Sequence, residues 1–156
     1  MRRAVVTELN GPDRVVIREV ADPTPGPDQV PIDVEYAGIS FPDVLQTRGE
    51  YQVRPDLRFT PGWEISGVVR EDSGSFRAGD RVAVMPFTGG VAESVVVDAN
   101  YVFALPDSVS FATAAASFCR PWRGVERQTY HGDIIRMDEA DNSERNIFAS
   151  CENVRP

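Results

Sequence analysis

The chain has no lysine: all sixteen of its basic residues are arginine, against twenty-four aspartates and glutamates, for a formal net charge of -8. A surface of that sign repels phosphate backbones and anionic lipid, which disfavours nucleic acid or a membrane as partner. Histidine occurs once and cysteine twice, at Cys119 and Cys151. The two cysteines make neither a CxxC pair nor a disulfide framework, and reduced thiols are expected. No run of about 18 apolar residues occurs, and MRRAVVTELN enters a strand-like pattern with no leader-like apolar segment. A soluble, cytoplasmic protein is therefore expected. Its 156 residues suit one domain with its own core.

What is present reads as short strands separated by turn chemistry. Ala4 to Leu9 and Val15 to Val20 flank the turn NGPD, and DPTPGPD makes a stiff connection. Val30, Ile32, Val34 and Tyr36 then alternate with Pro31, Asp33 and Glu35, the pattern of a half-buried strand. Pro31 removes a ladder donor, so this strand should start there or lie on an edge at that point. Further strands are predicted over Ile65 to Glu71, Arg81 to Met85, Val91 to Val97 and Val102 to Ala104. Two short helices interrupt them. In SFPDVLQTRG, Ser40 caps the first turn, Asp43 holds the capping-box position and Gly49 ends the helix; Ser110 caps a second, alanine-rich start. The fold class is mainly β, a small barrel or sandwich with short helices.

From Ser117 the composition changes. The last forty residues hold both cysteines, the single histidine and six arginines, with no sustained helix or strand period. Residues 1–116 carry ten arginines and seventeen acids, against six and seven beyond. A boundary is expected near 116, followed by an irregular tail.

The stretch TPGWEISGVV delivers Trp63 and Glu64 side by side into an apolar run, where a charge is costly unless it is paired. Glu64 is either a structural acceptor for backbone donors or an arginine, or a catalytic acid. Ser40 and Asp43 are accounted for by capping or by a role at a site. Tyr51 either packs, or uses its hydroxyl to orient a carbonyl or donate a proton.

Five blocks in order, VEYAGISFPDVLQTRGEY, TPGWEISGVV, FRAGDRVAVM, GGVAESVVV and LPDSVSFATAAA, resemble the N-terminal, GroES-like catalytic domain of the medium-chain dehydrogenase/reductase superfamily. The resemblance implies a partly open GroES-like β-barrel over residues 1–116. Within the superfamily the chain is most similar to the zinc-independent NADPH-dependent quinone oxidoreductases. The zinc enzymes of that superfamily hold metal with a cysteine and a histidine where this chain has Ser40 and Trp63, and a hydroxyl and an indole do not replace those ligands. No metal is expected; Cys119, His131 and Cys151 are three scattered residues with no ligand spacing.

The resemblance implies hydride transfer from NADPH to a quinone or an activated alkene. Tyr51 and Asp43 are then the candidate catalytic residues, and Ser40, Phe41 and Glu64 those facing the cofactor. Family members continue into a Rossmann domain with a glycine-rich pyrophosphate turn, and no G-x-G-x-x-G occurs here. A truncated or frameshifted product is expected, inactive alone and without tight NADPH binding, with a homodimer left open. The other readings are a non-enzymatic GroES-like interaction module and an inert remnant.

Overall fold

The computed structural model describes residues 1–118 and 133–137. Its strands are β1 (Arg2–Val6), β2 (Val15–Glu19), β3 (Gln29–Ile39), β4 (Glu64–Val69), β5 (Arg81–Val84), β6 (Ser94–Asp98), β7 (Val102–Ala104) and β8 (Asp133–Arg136), with helices α1 (Phe41–Arg48) and α2 (Phe111–Ala115). β1 and β2 form a hairpin. The main sheet runs β6-β3-β4-β5-β7, and β8 also pairs with β3. Every pairing is antiparallel. Ala4 donates to the Val91 carbonyl at 2.9 Å and Glu93 to that of Arg2 at 3.0 Å, so the hairpin continues the sheet around from the segment before β6. The result is the partly open, mainly β barrel that the five blocks imply.

β3 organises the sheet. It pairs with β4 along one edge, and with β6 and then β8 along the other. It starts at Gln29, two residues before Pro31, and lies at the centre of the sheet rather than at its margin. The proline is accommodated because its carbonyl accepts from Arg70, one residue past the end of β4. Its missing donor therefore faces the end of that ladder. Ile32, Ile39, Ile65, Val82, Val84 and Val91 are fully buried and fill the interior. Such residues are favoured both by the pleated backbone and by removal from water.

β8 lies in the stretch whose sequence has no sustained period, and it pairs Tyr36 with Arg136 and Ile39 with Asp133. Among the described residues no helix is long and apolar enough to cross a membrane.

Candidate functional site

The helix α1 begins where β3 ends. Ser40 is extended at the N-cap (φ -128°, ψ 171°), and Gly49 ends the helix in the left-handed region at φ 70°. One Asp43 oxygen accepts from the Ser40 amide at 2.8 Å and from its hydroxyl at 2.9 Å. The other accepts from the Gly62 amide at 2.8 Å, nineteen residues away. A single carboxylate thus caps the helix and ties it to the loop carrying Trp63 and Glu64.

That loop is fixed from its other side as well. Gly89, Gly90 and Val91 donate to the carbonyls of Thr60, Gly62 and Pro61. Gly62 has φ +112°, and a Cβ there would stand 2.5 Å from the Val91 nitrogen, so only glycine fits.

Asp43 is fully buried. Burial pushes its carboxyl up to about 6, opposed by the bonds from Ser40 and Gly62 and supplemented by the charge of Glu64. Glu64, 4% exposed, accepts from the Phe118 amide at 2.8 Å. The two carboxylates therefore share one apolar interior. Among the described residues they belong to no group of three or more His, Cys, Asp or Glu that could hold a metal ion. Cys119, His131 and Cys151 lie outside the described residues.

Outward of the carboxylates runs a series of rings, each set edge to face on the next. Tyr51 meets Trp63 at 5.3 Å between centroids, Trp63 meets Phe87 at 5.4 Å, and Phe87 meets Tyr101 at 5.1 Å. Each such contact adds about 1 kcal/mol beyond area burial. The indole nitrogen of Trp63 is buried with no hydrogen-bond partner. Phe87 is held at φ 64°, a left-handed conformation that costs a non-glycine residue about 1 to 3 kcal/mol.

The structure gathers Ser40, Phe41 and Asp43 at the start of α1, with Glu64 and the Tyr51–Trp63 pair joined to them through the 60–63 loop. Sequence reasoning did not find Phe87 or Tyr101. FTGG after β5 was a signal for a turn near Phe87; nothing in the sequence marked Tyr101. A groove lined by Met1, Arg2, Glu19, Val20, Ala21 and Glu93 includes none of these residues.

A side chain caps the start of each described α-helix. Asp43 caps α1, and the Ser110 hydroxyl accepts from the Thr113 amide at 3.1 Å at the start of α2.

The profile of the alcohol dehydrogenase GroES-like domain matches residues 26–107. Mouse quinone oxidoreductase-like protein 2 is 40% identical over 117 residues, which are 73% of this chain and 33% of that protein. Human quinone oxidoreductase is 32% identical over 145 residues, 90% of this chain and 44% of its own. Among solved structures, the quinone oxidoreductase from Thermus thermophilus, also solved in complex with NADPH, matches at a TM-score of 0.65 and 32% identity, covering 74% of this chain and 36% of that one. The chain thus spans between a third and a half of the length of these relatives.

Proposed function

The chain belongs to the family of alcohol dehydrogenase GroES-like domains, and we propose that residues 1–116 are the barrel half of a zinc-independent, NADPH-dependent quinone oxidoreductase. This half walls the cleft in which a hydride passes to a quinone or an activated alkene. The observation that carries the reading is the fastening of the 60–63 loop to α1 through Asp43, which sets Trp63 and Tyr51 into one wall with the elements bearing Ser40 and Phe41.

Each residue then has a role. The Tyr51 hydroxyl orients or protonates the acceptor oxygen. Ser40 and Phe41 border the nicotinamide, and Glu64 closes the inner end of the cleft. Asp43 is a positioning residue, because it is fully buried and both of its oxygens are engaged.

Zinc does not fit this site, since Ser40 and Trp63 offer no ligand suited to it. The whole dinucleotide does not fit either. A pyrophosphate is seated on a glycine-rich turn at a helix N-terminus, and no G-x-G-x-x-G occurs in this chain. The pyrophosphate and ribose contacts then fall to residues outside the barrel, so the chain alone is not a catalyst. In this chemistry the reduced nicotinamide supplies the hydride, while the barrel orients the acceptor and excludes water.

A chimera tests this. Residues 1–116, fused to the C-terminal remainder of the Thermus thermophilus enzyme, are expected to support NADPH-dependent reduction of a benzoquinone. Tyr51→Phe in that chimera should lower kcat about tenfold or more. A folded chimera that binds NADPH but reduces no quinone would remove the reading.

A further inference from the structure

The register of the β1–β2 hairpin leaves two cations facing each other. In an antiparallel pair, residues directly opposite carry their side chains on one face with Cβ atoms about 5 Å apart. β1 and β2 set Arg3 opposite Arg18, with Arg2 opposite Glu19, and Arg3 is bridged on its other side to Ala92. Glu19 and Glu93 therefore share the face of Arg2, where Glu93 binds Arg2 at 2.7 Å.

The opposite face has no acid at these paired positions. Around Arg3 and Arg18 it carries Val5, Val16 and Ala92. Like charges directly opposite destabilise a sheet. Arg3 Nε is also buried with no hydrogen-bond partner, a cost for any polar N–H. Neither arginine has an ion pair among the described residues, although acids outnumber arginines twenty-four to sixteen in the chain.

We propose that Arg3 and Arg18 form a binding site for a phosphate monoester group. Two guanidiniums supply paired N–H forks and two positive charges, matched by a group carrying nearly two negative charges and three acceptor oxygens. The apolar border strengthens each contact, and no acid occupies the paired positions on that face. The site lies on the hairpin face opposite Ala4 and Ile17, which pack into the core. It is independent of the quinone reductase reading.

The test is thermal melting of the whole chain in inorganic phosphate from zero to about 20 mM, at about pH 8 and constant ionic strength set with sodium chloride. Wild type is expected to melt higher as phosphate is added, in the logarithmic manner of a ligand that binds only the folded state. Arg18→Gln should lose that rise, yet melt no lower than wild type without phosphate, because a like-charge pair has been removed. Arg54→Gln, an exposed control, should keep it. Glycerol 3-phosphate in place of inorganic phosphate reports a soluble ligand, and sedimentation with phosphatidate vesicles reports a lipid headgroup; loss of either response in Arg18→Gln supports the site. Equal responses in wild type and Arg18→Gln, or no response to all three probes, would overturn it.

Discussion

Gly38→Ala is expected to lower the melting midpoint by about 10 °C or more. The β3–β4 register sets Gly38 opposite Glu64. A Cβ at Gly38 would stand 2.2 Å from the Ala115 carbonyl oxygen and 2.6 Å from Cγ of Glu64. A flexible side-chain tip could swing aside, but a carbonyl oxygen moves only with its backbone. Relief requires α2 to lift from the sheet or β3 and β4 to part, and overpacking of this kind costs about 3 kcal/mol. For a domain of this size each kcal/mol shifts the midpoint by about 3 to 4 °C. Lifting α2 would also disturb the bond from Phe118 to Glu64. Melting followed by circular dichroism reads the effect, and an unchanged midpoint would show that α2 does not press on Gly38.

Asp43→Ala is the second large loss, and its size depends on pH. Alanine leaves the Ser40 amide, the Ser40 hydroxyl and the Gly62 amide without their acceptor, at a combined cost of about 3 kcal/mol near pH 5. The folded carboxyl lies at about 6, above its ordinary value of 3.8. Between those values the folded state binds the proton that the unfolded state has released, so the contribution of Asp43 is complete below the lower value and falls as pH rises through the upper one. The penalty of the substitution should therefore shrink by about 1 kcal/mol between pH 5 and pH 7. Urea melts of both proteins at the two pH values give the comparison. A penalty that grows with pH would mean that the bonds to Asp43 outweigh its burial.

Local chemistry was legible in the sequence, and contacts across long separations were not. The Ser40–Asp43 spacing announced a capping box because its partners lie within one helical turn. The second bond of the same carboxylate, to Gly62, had no local signature, since it depends on where β4 returns beside β3. Pro31 misled for the same reason: the proline rule is local, whereas its place at the centre of the sheet follows from the pairing of β3 with both β4 and β6. β8 was not legible because DIIR is too short to display a period. Trp63 was visible as an aromatic entering an apolar run, but the ring series Tyr51–Trp63–Phe87–Tyr101 is assembled from four separate segments.

The central claim is that this barrel walls a nicotinamide cleft without seating the dinucleotide, and titration of NADPH into the pure 156-residue chain by calorimetry tests it most directly. No G-x-G-x-x-G pyrophosphate turn occurs in the chain, and titration of the Arg18→Gln chain in parallel separates any contact of the cofactor's 2′-phosphate with the Arg3–Arg18 site. A dissociation constant no tighter than about 1 mM is expected, whereas binding at about 1 μM would contradict the account.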